Sequence, residues 1–319
     1  MKAFHIAEPG ATPALTDLPL PAPAAGQLRI KIAACGLNFA DLLMIKGQYQ
    51  DTPDAPFTLG MEVAGTVDAV GTDVAGWSAG DRVAVFGGQG GLAEYACYDA
   101  ARCMMLPETM DFVTAAGFQI AYGTSHLALT RRAALKPGET LLVLGAAGGV
   151  GLTAVEIGKA MGAKVIACAR GADKLEAARA AGADHLFDSE TADLRAEVKA
   201  LGGADVVYDP VGGDLFTAAL RATNRGARVL VIGFASGDVP PIPANILLVK
   251  NISVIGFYWG GYLSLDPQAL TGSMTELMAW HAQGRLHPHI SHQMPLDEAA
   301  EALELLRNRQ STGKVVVTV

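Results

Sequence analysis

The stretch LLVLGAAGGVG, residues 141–151, decides the fold of this chain. Its first five letters form an apolar run that predicts a buried strand, and the helical pattern that follows runs from Gly149 to Met161. The small residues at the junction allow a close backbone approach, and the N-terminus of the helix offers free N–H groups and partial positive charge. A strand, a glycine-rich loop and a helix in this order predict a site for the pyrophosphate of a dinucleotide.

The loop matches a dinucleotide fingerprint because of what surrounds it. In a strict G-x-G-x-x-G frame the first position is Ala146, followed by Gly148 and Gly151. Glycine-rich turns join many strands to many helices, so a single match is weak evidence. Several further strand–helix units follow this one, which favours cofactor binding over a merely structural turn. The residues expected to contact the cofactor here are Ala147, Gly148, Gly149 and Val150.

The second half of the chain repeats the order strand, helix, strand. Further strands are predicted at 164–168, 205–209, 227–233 and 252–257, with helices at 173–181 and 214–222. Continuous Val, Ile and Leu runs joined by helices are typical of parallel strands that are buried on both faces. The predicted fold class is therefore α/β, with a doubly wound parallel sheet.

Residues 1 to about 115 have a different hydrophobic pattern. Short alternating apolar runs, separated by Pro- and Gly-rich turns, predict strands at 28–32, 63–67, 82–86 and 94–98. The last residues, 314–319, predict one more strand that returns to this β region. We therefore predict one domain from residues 1–115 and 286–319, and a second, inserted domain from residues 116–285.

Composition narrows the class of protein. The 319 residues are 50% hydrophobic and 18% charged, with a net charge of −8, which predicts a large core and no basic surface for nucleic acid. No apolar run is long enough to cross a bilayer, and the N-terminus lacks the apolar core of a signal peptide. The four cysteines have no CxxC spacing, which is typical of a reducing compartment. We expect a cytoplasmic protein that binds neither membranes nor nucleic acid.

The end of the second predicted strand of the parallel sheet indicates which nicotinamide cofactor is used. Sites for NAD usually have an acid there, about twenty residues after the glycines, that binds the ribose 2′-hydroxyl. This chain has Arg170 and Lys174 instead, and both can bind a 2′-phosphate. The pattern favours NADPH. In the alternative, both cations are solvated surface residues and Asp173 binds the ribose.

Several separate motifs, in order along the whole chain, carry a resemblance to a known family. They are CGLNFADLLMIKGQY at 35–49, LGMEVAGTV at 59–67, KPGE at 136–139, AAGGVG at 146–151, GADVVYDPVGG at 203–213 and GKVVV at 313–317. With these motifs the chain resembles the zeta-crystallin-like quinone oxidoreductase branch of the medium-chain dehydrogenase/reductase superfamily. The resemblance implies a GroES-like β domain and a Rossmann domain, usually in a homodimer joined through the sheet edge near 252–256.

The resemblance also indicates where this chain differs from the zinc enzymes of the superfamily. Those enzymes use a Cys in a G-x-C-H-[TS]-D segment and a His in a G-H-E segment. Here Asn38 stands in place of the Cys and Met61 in place of the His, so the ligand pair for Zn²⁺ is missing. The four-cysteine structural lobe is missing as well. We therefore expect no metal at the active site, and simple alcohol oxidation is disfavoured without a Lewis acid.

The resemblance implies three catalytic side chains. Asn38 and Tyr49 match positions beside the nicotinamide, where Asn38 would donate its amide to the acceptor oxygen or to the cofactor's ribose. Tyr49 would orient the substrate or relay a proton, and the alternative is an aromatic residue packed in a loop. Thr124 matches a contact on the nicotinamide side, and its alternative is a helix-capping hydroxyl.

The remaining cofactor contacts are expected after strands and near the C-terminus. Ligands of open α/β sheets bind at the carboxyl ends of the strands. The residues after the fifth and sixth strands are Gly233, Phe234, Phe257 and Tyr258. Arg309 and Lys314 match positions that reach the cofactor or its phosphates, although each could equally be a surface cation. Ser189 stands where relatives often have a Tyr near the adenosine phosphate, and the acid Asp188 beside it tempers the NADPH preference.

The expected reaction is hydride transfer from NADPH to a quinone, in which the cofactor carries the chemistry and the protein positions it. The anion that develops on the acceptor needs hydrogen-bond donors and a proton. Reduction of an activated alkene, a 2-alkenal or an enoyl thioester, needs the same hydride and the same donors, so the sequence does not separate these two reactions. A third hypothesis is a non-enzymatic nucleotide-binding protein. The physiological acceptor, one- or two-electron reduction, and dimer or tetramer are also left open.

Overall fold

A computed structural model describes residues 1–8 and 10–319 of the chain. Their contacts divide the chain into two compact units. Unit 1 contains Met1–Ile120 and Pro288–Val319, and unit 2 contains Ala121–His287. Each unit has its own sheet structure and its own apolar core. The domain boundaries given from the sequence alone stay a prediction.

Unit 1 is a β unit with few helices. Its strands are β1 (Lys2–Ile6), β2 (Ala14–Asp17), β3 (Gln27–Gly36), β4 (Phe57–Thr58), β5 (Glu62–Val70), β6 (Arg82–Phe86), β7 (Tyr95–Asp99), β8 (Cys103–Met105) and, after unit 2, β15 (Ile290–Pro295) and β16 (Lys314–Thr318). Its helices are α1 (Phe39–Ile45), α2 (Phe112–Ala116) and α11 (Ala299–Arg307), with 3₁₀ turns at Ala100–Arg102 and Leu296–Glu298.

The strands of unit 1 form two sheets. A small antiparallel sheet has the order β2-β1-β4, and a seven-stranded sheet has the order β15-β16-β3-β5-β6-β8, with β7 also paired to β3. The alternation in β3 explains its place, because Leu28, Ile30 and Ile32 are buried while Lys31 between them is exposed. The last strand of the chain, β16, pairs with β3, which fixes its first residue next to the end of β3.

Unit 2 consists of alternating strands and helices. Its strands are β9 (Thr140–Leu144), β10 (Lys164–Ala169), β11 (His185–Asp188), β12 (Ala204–Asp209), β13 (Thr223–Val231) and β14 (Ser253–Gly256). Its helices are α3 (Gln119–Leu127, whose first two residues are counted in unit 1), α4 (Gly149–Ala160), α5 (Ala172–Ala180), α6 (Leu194–Ala200), α7 (Gly213–Ala222), α8 (Ala244–Lys250), α9 (Tyr262–Leu265) and α10 (Pro267–Ala282), with a π-helical turn at Ala128–Arg132. Among the described residues, none of these helices combines the length and the apolar character that spanning a bilayer requires.

The six strands of unit 2 form one parallel sheet with the order β11-β10-β9-β12-β13-β14. The chain runs outward from β9 through β10 and β11, and then returns to the other side of β9 for β12. The switch point, where open α/β sheets bind ligands, therefore lies at the carboxyl ends of β9 and β12. Leu141 to Leu144 in β9 are all fully buried, as expected for a central parallel strand. The predicted α/β fold with a doubly wound parallel sheet is confirmed.

One strand of unit 2 differs from its sequence prediction. The fifth strand was expected at 227–233, but β13 spans Thr223–Val231. The pairing register with β12 shifts between the partners of Ala204 and Val206, and Gly226 has a φ of +76° in that region. The polar start of β13 therefore contains an irregularity, which the apolar pattern of the later residues does not reveal.

Candidate functional site

The loop after β9 is shaped by glycines that leave no room for a side chain. Gly145 has a φ of +57°, a left-handed conformation that suits glycine. A Cβ on Gly151 would lie 2.1 Å from the carbonyl oxygen of Gly145, so the first turn of α4 lies directly against the end of β9. The N–H groups of that turn, those of Gly149, Val150 and Gly151, have no acceptor within their own helix. The loop therefore offers a phosphate the donors and the dipole of a helix N-terminus.

Two buried hydroxyl groups, those of Ser125 and Thr153, contact the first turn of α4, and a third, that of Tyr208, contacts Ser125. The carbonyl oxygen of Val150 lies 2.9 Å from Ser125 Oγ and 3.1 Å from Thr153 Oγ1, within hydrogen-bond distance of both hydroxyl groups. Ser125 Oγ also lies 2.8 Å from Thr153 Oγ1 and 2.9 Å from Tyr208 Oη. This network was not predicted from the sequence, because hydroxyl-bearing residues are common within apolar helices and strands. The only signal was Tyr208, a hydroxyl-bearing residue directly after the two adjacent valines of β12.

Two of the three residues predicted as catalytic, Thr124 and Tyr49, belong to different units. Thr124 is inside α3 and 7% exposed, so the helix-capping alternative is wrong, because a capping residue stands at a helix end. Tyr49 lies in the loop after α1, partly buried against the apolar core of unit 1. Its backbone carbonyl accepts a hydrogen bond from Thr52 Oγ1 at 2.6 Å. The catalytic roles of both residues stay predictions.

The ends of β10 and β11 bring Arg170, predicted to bind the 2′-phosphate, next to Ser189, predicted near the adenosine phosphate, at one edge of the sheet of unit 2. Ala169 pairs with Asp188 in the parallel register, so Arg170 and Ser189 follow at the same level. The backbone N–H of Ser189 donates to the carbonyl of Ala169 at 3.0 Å. Lys174 lies in the first turn of α5, the helix that follows Arg170. Arg170 and Ser189 therefore lie at neighbouring strand ends, and Lys174 follows Arg170 in the first turn of α5.

The residues after strands that were predicted to contact the nicotinamide follow β13 and its neighbour β14, the strand at one edge of the sheet. They are Gly233 and Phe234 after β13, and Phe257 and Tyr258 after β14. Phe257 N donates to the carbonyl of Val231 at 3.0 Å, which extends the ladder between these strands by one residue. The ring of Phe257 is buried and lies 5.6 Å from the ring of Tyr262. Phe234 is 38% exposed, so of the two phenylalanine rings only this one is open to a ligand.

A buried ammonium group stands at the start of β16 in unit 1. Lys314 is 5% exposed, and its Nζ donates to the carbonyl of Leu37 (2.7 Å), to Asn38 Oδ1 (2.8 Å) and to Glu62 Oε1 (2.7 Å). These three bonds use all the N–H groups of an ammonium. The alternative that Lys314 is a surface cation is therefore wrong. Arg309, predicted together with it, is exposed. The cofactor contacts of both residues stay predictions.

The side-chain amide of Asn38 has one defined orientation. Its Nδ2 donates to the carbonyl of Gly36 at 3.2 Å and to Glu62 Oε1 at 3.0 Å, while its Oδ1 accepts from Lys314. Two pure acceptors and one pure donor surround the amide, so a flipped amide would face repulsion at all three contacts. Both N–H groups are used, and one lone pair of Oδ1 is left. Asn38 therefore offers a ligand an acceptor.

Two buried acids next to Asn38 were missed by the sequence analysis. Glu62 is fully buried, and its Oε2 accepts from the backbone N–H of Ile120 at 2.9 Å. Asp41, also fully buried, accepts from the N–H groups of Asn38 (2.8 Å) and Gly60 (3.1 Å). Burial raises the pKa of Asp41 to about 6. An acid inside an otherwise apolar stretch was the available signal, because such an acid needs buried partners. Among the described residues, no group of three or more His, Cys, Asp or Glu side chains is arranged to hold a metal ion.

Two family profiles match the two parts of the chain. Residues 24–108 match the alcohol dehydrogenase GroES-like domain, and residues 149–280 match the family described as zinc-binding dehydrogenase. Both families are parts of medium-chain dehydrogenases, and the first confirms the GroES-like unit expected from the sequence.

Relatives and solved structures extend the match to the whole chain. A quinone oxidoreductase-like protein 2 homolog from Nematostella vectensis is 40% identical over 297 residues, covering 91% of this chain and 81% of the relative. A synaptic vesicle membrane protein VAT-1 homolog from human is 34% identical, covering 93% and 80%. The quinone oxidoreductase of Thermus thermophilus, solved alone and with NADPH, has a TM-score of 0.87 and 33% identity, with 100% of both chains covered. The chain thus belongs to the quinone oxidoreductase branch of the medium-chain dehydrogenase/reductase superfamily, a family of oxidoreductases.

Proposed function

We propose that this chain is an NADPH-dependent quinone oxidoreductase that works without a metal. The observation that carries the proposal is the loop after β9, where a Cβ on Gly151 would lie 2.1 Å from the carbonyl oxygen of Gly145, so that only glycine fits and the first turn of α4 lies against the loop. When bound, NADPH supplies the hydride. The NADPH complex of the Thermus enzyme supports the choice of cofactor, and the names of the relatives support the choice of a quinone.

The proposed cofactor contacts fall into three groups. The backbone groups for the pyrophosphate are those of Ala147, Gly148, Gly149 and Val150. The side chains for the phosphates of the adenosine end are those of Arg170, Lys174, Ser189 and Arg309. The residues for the nicotinamide end are Thr124, Gly233, Phe234, Phe257 and Tyr258. The free N–H groups of α4 and the paired ends of β10 and β11 support the first two groups.

For Asn38 we propose the role of an acceptor. Its Oδ1 has a lone pair left for a hydroxyl or N–H group of the bound cofactor or substrate, and Glu62 and Lys314 hold that oxygen in place. The expectation that its amide donates is set aside, because Gly36 and Glu62 already accept both N–H groups. The oxyanion of a reduced quinone then needs a different donor. We propose the Tyr49 hydroxyl, which can donate both a hydrogen bond and a proton.

The test is oxidation of NADPH and of NADH by the purified protein with four acceptors: 1,4-benzoquinone, 9,10-phenanthrenequinone, trans-2-hexenal and crotonyl-CoA. We expect turnover of the quinones with NADPH preferred. Turnover restricted to the enal or the thioester would overturn the quinone assignment in favour of alkene reduction. NADPH binding without any turnover would favour a non-enzymatic nucleotide-binding protein. A Tyr49→Phe variant should lower kcat more than it changes the Kd for NADPH, since it removes only the hydroxyl.

In the cell we propose a cytoplasmic homodimer joined through β14. This strand ends the sheet order and, among the described residues, pairs on one side only, with β13. The preceding helix α8 exposes Leu248 (78%) and Val249 (67%), apolar surface that a partner would cover. The four cysteines are free thiols, which suits a reducing compartment. Light scattering should give twice the chain mass, and a monomer at micromolar concentration would contradict the proposal.

A further inference from the structure

The edge of unit 2 that carries Arg170 also carries an acid that faces it. β10 and β11 end side by side, and the residues after β11 form a tight turn. In this turn the Asp188 side chain accepts from the backbone N–H of Glu190 at 3.0 Å, and the Asp188 carbonyl accepts from the N–H of Ala192 at 3.0 Å. These bonds fix the backbone of Glu190 beside the end of β10.

The fixed turn brings the two charged side chains together. Glu190 Oε1 lies 3.8 Å from Arg170 Nε, at the limit of an ion pair. The two side chains are 61% and 46% exposed, so water and dissolved ligands reach both of them. An exposed pair of this kind is weak and exchangeable. The guanidinium of Arg170 is therefore held by an internal counter-ion that another anion can displace.

The charges around this edge do not favour a phosphate as strongly as the two cations suggest. Arg170 and Lys174 are accompanied by Asp173 in the first turn of α5, by Asp188 at the end of β11 and by Glu190. Of the three acids, only Glu190 forms an ion pair with Arg170 among the pairs seen in the described residues. A 2′-phosphate that binds Arg170 must replace Glu190, and it then stays close to the displaced carboxylate.

We infer that Glu190 is a specificity-determining residue, an internal competitor for Arg170 that lowers the preference for NADPH over NADH. The inference rests on the proposed function, since it concerns how the proposed cofactor is chosen. NADH has no 2′-phosphate, so it leaves the pair between Glu190 and Arg170 intact. Only the affinity for the phosphorylated cofactor is then reduced. Because both side chains are exposed, the expected effect is modest, about twofold to fivefold in the ratio of the two affinities.

The experiment measures binding without turnover. Kd values are determined by calorimetry for 2′,5′-ADP and 5′-AMP, which differ by the 2′-phosphate, and by fluorescence for NADPH and NADH. In Glu190→Gln, which keeps the shape and removes the charge, we expect 2′,5′-ADP and NADPH to bind about twofold to fivefold more tightly. We expect 5′-AMP and NADH to bind as before. The gain should shrink at high salt, because exposed charges are screened.

Glu176→Gln is the matched control. Glu176 lies in α5, is 70% exposed, and pairs with Arg179 at 3.1 Å rather than with Arg170. This variant changes the net charge of the unit by the same amount, so an equal gain in both variants would overturn the inference in favour of a general charge effect. An unchanged affinity for 2′,5′-ADP in Glu190→Gln, or an equal gain for 5′-AMP, would also overturn it. If the unmodified protein binds neither NADPH nor 2′,5′-ADP, the proposed NADPH dependence itself fails.

Discussion

The two units each contain a charged site, and these sites are built in opposite ways. In unit 1 Lys314 Nζ and Glu62 Oε1 lie 2.7 Å apart, and the two side chains are 6% and 0% exposed. In unit 2 Arg170 and Glu190 lie 3.8 Å apart, with side chains 46% and 61% exposed. The ammonium of the first pair has all its N–H groups bound by protein, whereas the second pair is open to solvent.

This difference determines what each site can do. Removing one partner of a buried ion pair leaves an uncompensated charge and costs about 3–5 kcal/mol of stability, whereas an exposed pair contributes about 0–1 kcal/mol. A buried pair therefore holds its neighbours in one geometry. Here Lys314 and Glu62 form a buried frame that fixes the side-chain amide of Asn38. An exposed pair is a replaceable contact, and its cation is available to a ligand. Burial therefore suits the pair in unit 1, which holds one geometry, and exposure suits the pair in unit 2, whose cation must be free to bind a ligand.

The strongest test of the buried frame is Lys314→Met. The variant leaves the Glu62 carboxylate buried without its cation, and Asn38 Oδ1 without its donor. We expect the free energy of unfolding to fall by about 3–5 kcal/mol, measured by urea denaturation followed by circular dichroism.

Two variants make the result specific. Lys46→Met removes a lysine at an exposed position directly after α1 and should change the stability by less than about 0.5 kcal/mol. The double variant Glu62→Gln/Lys314→Met removes both charges and should be more stable than Lys314→Met alone. If Lys314→Met loses no more than Lys46→Met, the buried pair is not the frame we describe.

The sequence predicted Arg170 and Ser189 at the exposed site, and it predicted Lys314 but not its buried partner Glu62, for a physical reason. Arg170 and Ser189 each follow a strand directly, so the apolar pattern that locates the strand also locates the residue. Lys314 and Glu62 are separated by 252 positions, and they meet only because β16 pairs with β3 and β3 with β5. Lys and Glu are seldom fully buried, so without that pairing Lys314 has the features of a surface cation.

The same contrast explains which parts of the fold could be predicted. Apolar runs and alternation depend on neighbouring residues, so β6 and β10 begin at the predicted residues, Arg82 and Lys164. The orientation of the Asn38 amide depends on three groups that come from three different segments. No local pattern contains that information. The expectation that Asn38 donates was therefore the natural one from the sequence, whereas in the structure both N–H groups are already bonded, to Gly36 and to Glu62.

The second test of the buried frame uses pH. Burial raises the pKa of Asp41 from its ordinary 3.8 to about 6, and the nearby Lys314 acts in the opposite direction. Because the folded state binds this proton more tightly than the unfolded state, the contribution of Asp41 to stability is full below about pH 4 and is lost as the pH rises through 6. The loss for this one residue is roughly 3 kcal/mol.

NMR of protein with ¹³C-labelled aspartate carboxyl groups measures this pKa directly. Asp266 is the internal reference, because the N–H of Ala269 and then Arg131 lower its pKa below the ordinary value. Asp41 should titrate near pH 6 and Asp266 well below it. In Lys314→Met the pKa of Asp41 should rise further, since a cation that favours the charged form is gone. An Asp41 resonance that titrates with the other aspartates would contradict its burial in this frame.

The smallest of these effects concerns the loop after β9, which is fixed by backbone contact instead of charge. In Gly151→Ala the new Cβ would meet the carbonyl oxygen of Gly145 at 2.1 Å, so the first turn of α4 must move away from β9. The N–H groups proposed for the pyrophosphate move with it. We expect the affinity for NADPH, measured by fluorescence titration, to fall by about tenfold or more, because these N–H groups act on the cofactor only at short range.

Gly272→Ala is the control for that change. Gly272 lies in α10, and a Cβ there meets nothing within 4 Å, so its substitution should leave the affinity for NADPH unchanged and slightly favour the helix. NADH should lose as much affinity as NADPH in Gly151→Ala, because both carry the same pyrophosphate. An equal loss for NADH and NADPH separates the two kinds of site. The backbone of the loop after β9 does not distinguish the two cofactors, whereas the exposed pair at Arg170 does. A Gly151→Ala protein that loses affinity for NADPH alone would place the 2′-phosphate at this loop and break the distinction.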